Sequence, residues 1–166
     1  VDVADARAAR AGDAVVVATA GLSNPAALPV DPADGDGPGS GSGPTDPAPR
    51  HDGTVNLLIV AGRALADGGL AELVAVAAEA KAATLLSLAG VPGTTTDAVV
   101  AGCDPAGEPA RFAGSGTVLG ADVRACVRDA LGAALSASYP DRDPRAAAAG
   151  AEHAVRTDRR AEVFEV

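Results

Sequence analysis

Three runs decide the fold: TVNLLIV at residues 54–60, DGGLAELVAVAAEAKAATLLSLA at 67–89 and TTTDAVVA at 94–101. The first is short and rich in aliphatic and β-branched residues, the composition of a buried strand. The second is too long for a strand, repeats its apolar residues at helical spacing, and is closed by Gly90, Val91, Pro92 and Gly93, a helix break. The third returns to strand composition. If the two strands are parallel, the helix between them is a right-handed crossover.

Working outward, AVVVATA at 14–20 reads as a further buried strand, and residues 2–11 (DVADARAARA) read as a short helix ended by Gly12. A turn at Pro105, Ala106 and Gly107 and the run PARFA at 109–113 suggest a strand pairing back as a hairpin. Residues 119–137 form a last helix, with Val123, Val127, Ala130, Leu131 and Ala134 on one stripe. The order predicts an α/β (α+β) two-layer sandwich, a mixed β-sheet packed by helices, rather than a doubly wound sheet. Residues 1–138 are expected to form one domain, with a flexible insertion at about 31–53 (DPADGDGPGSGSGPTDPAPRHDG) that has too little apolar surface to order itself. His51 lies in that insertion and is read as solvated. Residues 139–166 read as a polar, Ala-rich tail broken by Pro140 and Pro144, whose final AEVFEV has the alternation of an edge strand.

The single lysine, Lys81, sits inside the helical run, whereas the other twelve cations are arginines. On a helical wheel Leu70, Val74, Ala77, Leu85 and Leu88 fall within about 60° of one another, and Lys81 falls among them. Glu72 and Glu79 point the other way. A cation on a buried stripe must find a counter-charge or open onto a cavity; the alternative is a helix-edge lysine that reaches out to water.

Sixteen Asp against six Glu, a net charge of −9 and near-absence of Lys suit a protein kept soluble in concentrated salt, although a GC-rich genome would give a similar bias. The acidic balance argues against nucleic acid and anionic membrane as partners. No apolar stretch has the length of a membrane span and no signal peptide opens the chain, so the cytoplasm is the expected location. Whether the chain forms a homo-oligomer is left open. Cys103 and Cys126 stand apart from each other and from any His pair, which speaks against a zinc site or a disulfide framework.

The usual catalytic templates fail on this sequence. His51 and His153 lie in the insertion and the tail, no metal-ligand spacing occurs, and no phosphate-binding fingerprint follows a strand. What remains are polar residues at strand or loop ends, where α/β sites are commonly built. These are Asn24 after the first strand, Asn56 within the second, and Thr94, Thr95, Thr96 and Asp97 at the third. Each has a structural alternative, a tied-down amide for Asn56 and turn or cap chemistry for the others.

The segments ATAGLSN (18–24), GTVNLLIV (53–60), EAKAATLL (79–86), GTTTDAVVAG (93–102) and FAGSGTVLG (112–120) occur in this order. Together they resemble the adenosylcobinamide amidohydrolase family (CbiZ) over about residues 12–137. The family's Asn in the second strand falls on Asn56, its E-A-K-T-like helix on Glu79 with Lys81, and its T-G-T-x-T-D-like run on Thr94 to Asp97. Two departures stand out: this chain reads G-T-T-T-D at 93–97, and it has Gly116 where the family pattern carries a larger polar residue such as His. The family also has a longer N-terminal portion, so a truncated member is expected.

The resemblance implies hydrolysis of the aminopropanol amide of adenosylcobinamide, giving adenosylcobyric acid and 1-aminopropan-2-ol in corrinoid salvage. It implies no cofactor and no protein-held metal, because the corrinoid substrate brings its own cobalt. Our assignment of roles is Lys81, Asp97 and Thr96 in catalysis. Asn24, Asn56, Thr95, Glu79 and Ser115 would bind substrate. The rival is a non-catalytic corrinoid-binding or structural domain, in which Lys81 and Asp97 are only a buried ion pair.

Self-repulsion at low ionic strength should be relieved by screening. The thermal midpoint is expected to rise steeply between about 0.1 M and 2 M KCl. An unchanged midpoint would assign the acidity to genome composition.

Overall fold

A computed structural model describes residues 2–31 and 53–165. The insertion, including His51, lies outside the described residues apart from its end positions Asp31 and Gly53. Strands β1 (Arg7–Ala11), β2 (Ala14–Ala20), β4 (Val55–Ala64) and β5 (Ala98–Pro109) form one mixed sheet in that order. The β1–β2 and β2–β4 pairs are antiparallel, and β4–β5 is parallel across helix α1 (Asp67–Ala89). Helix α2 (Val118–Ser138) packs on β1 and β2, and α1 packs on β5 and α2. This is the expected two-layer α/β sandwich.

Strand alternation builds the core. Ala14, Val16, Ala18 and Ala20 of β2 and Val55, Leu57, Ile59 and Ala61 of β4 are buried against the helices. From α2 come Val123, Val127, Ala130, Leu131 and Ala134, the stripe expected from the sequence. Each fully buried Val or Leu contributes about 1.5–3 kcal/mol. Helix α1 ends on Gly90 in the left-handed region (φ 75°), whose N–H donates to the Leu85 carbonyl.

Several local expectations are corrected. Residues 2–11 are not a helix: a 3-10 turn at Val3–Asp5 leads into β1, which pairs with β2 through a two-residue link at Gly12 and Asp13. Gly12 takes a left-handed φ of 45° there. Ala and Arg favour helix, but sheet pairing outweighs a propensity difference of a few tenths of a kcal/mol per residue. The third strand does not begin at Thr94; Thr94 to Asp97 form a loop, and β5 starts at Ala98.

There is also no hairpin at 109–113. β5 runs on through Pro105 to Pro109, with a register irregularity opposite Ala61–Arg63. Pro105 is tolerated because β5 is an edge strand and the proline falls in that irregularity. The buried stripe of α1 is Leu73, Val76, Ala77, Ala80, Thr84, Leu85 and Ala89, rotated from the expected one, which leaves Val74 and Leu88 exposed. Lys81 sits at the edge of this stripe.

The stretch read as a polar tail docks back on the domain. Asp143 caps α3 (Pro144–Ala149), whose Ala147 and Ala148 are buried and which packs on α1. Strand β6 (Val155–Arg156) pairs in parallel with β3 (Ala26–Ala27). Residues 161–165 of the final AEVFEV form no strand. The Tyr139 hydroxyl accepts from the Leu22 N–H at 2.7 Å, tying the end of α2 to the loop after β2. Tyr139→Phe leaves that N–H unpaired beside buried Leu22, and should lower unfolding free energy by about 1–3 kcal/mol in denaturant titration.

Candidate active site

Three chain segments converge at one end of the sheet: the loop after β2, the start of β4 and the loop before β5. Backbone hydrogen bonds lace them together, Gly21 N to Thr54 O at 2.9 Å, Thr95 N to Asn24 O at 3.1 Å and Ala26 N to Gly93 O at 2.9 Å. In the parallel pair this is the N-terminal end of the strands, opposite to the usual location of α/β sites.

Asp97 is the centre. Its Oδ2 accepts from Lys81 Nζ in an ion pair and from Thr94 N at 3.1 Å. Its Oδ1 accepts from Thr94 Oγ1 at 2.5 Å and from Val55 N at 3.0 Å. The side chains of Lys81 and Asp97 are only 12% and 10% exposed. Glycine at 93 lets the loop pass this closely: a Cβ there would run into Asp97 Oδ2 and Lys81 Nζ. The lysine therefore has the counter-charge that its place on the helix demanded.

Around this pair lies a shell of hydroxyls and amides. Thr54 Oγ1 donates to the Thr96 carbonyl at 2.8 Å, and Thr96 Oγ1 donates to the Gly53 carbonyl at 3.0 Å. Asn24 Nδ2 donates to Thr95 Oγ1 at 2.6 Å. Asn24 is 5% exposed, and its buried Oδ1 has no hydrogen-bond partner among the described residues. Gly53 packs against that oxygen so closely that a Cβ would overlap it. Asn56 Nδ2 donates to Thr19 Oγ1 at 3.1 Å across the β2–β4 ladder.

Of the residues singled out from sequence, Lys81, Asp97, Thr95, Thr96, Asn24 and Asn56 thus come together. Glu79 and Ser115 do not join them. Glu79 is exposed on another face of α1 and pairs with Arg124 of α2 at 3.4 Å, as a two-residue step on a helix requires. Ser115 lines a groove of about 580 Å³ between α1 and α2, with Thr84, Ser87, Arg124 and Arg128. The threonine that touches Asp97 is Thr94, not Thr96. The T-x-x-D spacing of Thr94 and Asp97, a turn in which the carboxylate turns back to the first residue, was the available signal.

His153 also has a place in the fold that sequence did not give it. It lines a cavity of about 430 Å³ with Ser23, Tyr139, Arg142 and Glu152, next to the Asn24 loop. Cys126 is buried and donates to the Ala14 carbonyl at 3.7 Å; burial, opposed by a backbone hydrogen bond at Ala11, holds its thiol above the usual pKa. Among the described residues no three His, Cys, Asp or Glu side chains stand together as metal ligands.

Chemically, the network presents a cation, a carboxylate and a hydroxyl in series, with two amides and further hydroxyls at its margin. Breaking a buried ion pair strands one charge. Lys81→Met should destabilise by about 3–5 kcal/mol, while Lys81→Met with Asp97→Asn should recover much of it, read from unfolding at fixed KCl. Additive losses would show that the two side chains are not coupled.

A family model described as adenosylcobinamide amidohydrolase matches residues 1–143. The chain is 54% identical over 162 residues to a curated adenosylcobinamide amidohydrolase of Halobacterium salinarum, a match that takes in 96% of this chain and 65% of that protein. No solved structure matches the chain.

Proposed function

The chain belongs to the adenosylcobinamide amidohydrolase family, and from that premise we propose that it hydrolyses adenosylcobinamide at the amide bearing the aminopropanol arm. The observation that carries the reading to particular atoms is the buried chain Lys81–Asp97–Thr94, found where the family-like segments converge. Water is consumed: its hydroxyl ends on the carbonyl carbon, the carbon–nitrogen bond breaks, and the nitrogen leaves with a proton. The products are adenosylcobyric acid and 1-aminopropan-2-ol, which places the chain in corrinoid salvage. The cobalt arrives with the substrate.

Amide hydrolysis needs an activated nucleophile, a stabiliser for the oxyanion and a proton for the leaving amine. An ion-paired lysine supplies charge and N–H donors, so Lys81 is suited to face the oxyanion, with Asp97 fixing its position. The nucleophile is a water or the Thr94 hydroxyl, the latter held by its hydrogen bond to Asp97 Oδ1 at 2.5 Å. Asn56, Thr95 and Thr96, at the margin of the network, hold the amides of the substrate. The net charge of −9 favours a salt-adapted enzyme that does not bind nucleic acid; no described helix is long and apolar enough to cross a membrane.

One observation favours the second reading, a corrinoid-binding or structural domain: Asp97 already accepts from four donors and has no spare role. A single assay separates the two. Incubation with adenosylcobinamide in molar KCl should release aminopropanol. Lys81→Met should lower the rate at least about 100-fold, the scale of one lost oxyanion donor. Thr94→Val should also lower it, with partial rescue in Thr94→Ser, whereas Glu79→Gln and Ser115→Ala should stay within a few-fold. Wild-type turnover by folded Lys81→Met would remove Lys81 from the mechanism. No release by the wild type would leave the binding-domain reading.

A further inference from the structure

The turn that carries Thr94 is held on its outer side by chain far from it in sequence. Residues 24–26 run antiparallel to residues 93–95. Ala26 N donates to the Gly93 carbonyl at 2.9 Å, Thr95 N to the Asn24 carbonyl at 3.1 Å, and Pro25 lies opposite Thr94. Along this extended stretch the main-chain groups alternate in direction, so β3 presents its other edge to β6. There Val155 N donates to the Pro25 carbonyl at 2.9 Å and Thr157 N to the Ala27 carbonyl at 3.1 Å. Main-chain bonds thus lead from the C-terminal segment to the turn whose hydroxyl donates to Asp97. We propose that β6 is a positioning strap for the reaction, setting the Thr94 turn against the Lys81–Asp97 pair, an assignment that rests on the amidohydrolase reading above.

Without β6 the turn would be poorly placed. Strand β3 has two residues, and Pro25 has no N–H to give, so the pairing of 24–26 with 93–95 is short. A pair of this kind is marginal in water, and a third strand steadies it. Asp97 is located by Val55 N and Lys81 Nζ, yet its two bonds to Thr94 span only three residues. They shape the turn and leave the backbone of Gly93 and Thr95 to be held from outside.

The strap is itself anchored. The Arg156 side chain is 5% exposed, with Nε donating to Asp158 at 2.8 Å. A guanidinium this buried must keep its partners, which fixes the register of β6. Upstream, Arg145 of α3 donates to the Ser87 carbonyl at 3.0 Å, in the last turn of α1. The segment therefore ties the Thr94 turn to the helix that carries Lys81, so that nucleophile and cation share one frame.

Val155→Pro deletes the first strap bond and Thr157→Pro the second. Val155→Ala keeps the N–H, and Val163→Pro puts a proline in the exposed end of the chain. For each, kcat and KM with adenosylcobinamide and amide hydrogen exchange are measured in the same KCl. In both bond-deleting variants kcat should fall about tenfold or more with KM within about threefold, since a displaced catalytic group costs rate rather than affinity. Exchange at Ala26, Thr94 and Thr95 should quicken about tenfold, while buried Val16 and Ile59 keep wild-type protection. Val155→Ala and Val163→Pro should stay within about twofold of wild type in both readouts. In a Thr94→Val background Val155→Pro should lower kcat no further, because the hydroxyl it displaces is gone. Unchanged kcat in both folded variants, or an undiminished loss in the Thr94→Val background, would overturn the proposal. So would an equal loss of protection at Val16 and Ile59, or failure of both variants to fold, either of which would make β6 a general support of the domain. A wild type that releases no aminopropanol defeats the hydrolase reading alone. Exchange then decides the strap by itself: quickening confined to the two paired stretches supports it, and unchanged exchange overturns it.

Discussion

The structure depends on one carboxylate. Asp97 gathers the first N–H of β4, the turn before β5 and the lysine of α1 onto two oxygens. Its four donors come from three parts of the crossover, two of them from Thr94, so the carboxylate fixes where the helix sits relative to both parallel strands. A charge this dry is tolerable only with its partners complete. That requirement explains the glycine beside the pair: Gly93 has no room for a side chain next to Asp97 and Lys81. Local backbone, core geometry and the candidate chemistry are therefore one problem with one solution.

The rest of the core is generic by comparison. It is built from Ala, Val and Leu, with no tryptophan or methionine, so its helices and sheet pack through small side chains. Small residues leave few polar contacts to specify register, and the polar cross-links at the strand ends supply them. The Thr54–Thr96 and Thr96–Gly53 bonds staple the starts of β4 and β5, and Asn56–Thr19 pins β2 to β4. Residues that bind substrate in the proposed reading are thus also the residues that set the ladder, which couples stability to activity at this end of the sheet.

Much of this was legible in the sequence, for physical reasons. The crossover was legible because helix α1 is a long, mostly apolar run closed by Gly90, Val91, Pro92 and Gly93 and flanked by β-branched strands; its limits, Asp67–Ala89, lie where the pattern put them, although its buried face does not. The lone lysine pointed to a buried partner because burial of a charge has so few solutions. What could not be read was long-range. The Ala/Arg segment before Gly12 has helix propensity, and only its pairing with β2 makes it a strand. Pro105 looked like a turn because its place on an edge strand is a property of the sheet. Thr94 was passed over for Thr96 because three adjacent threonines differ only in which way the loop turns them. Glu79 and Ser115 came with family-like segments, yet point to the Arg124 side of the helix layer.

The central claim is that the substrate's amide reacts at the Lys81–Asp97–Thr94 network. A crystal structure with bound cobyric acid, grown from molar KCl, tests it most directly, because the product's new carboxylate marks where the scissile carbonyl stood. The account predicts that this carboxylate lies within hydrogen-bond distance of Lys81 Nζ, with the ring next to Asn56. A carboxylate found instead between Arg124 and Arg128 in the groove of α1 and α2 would contradict it.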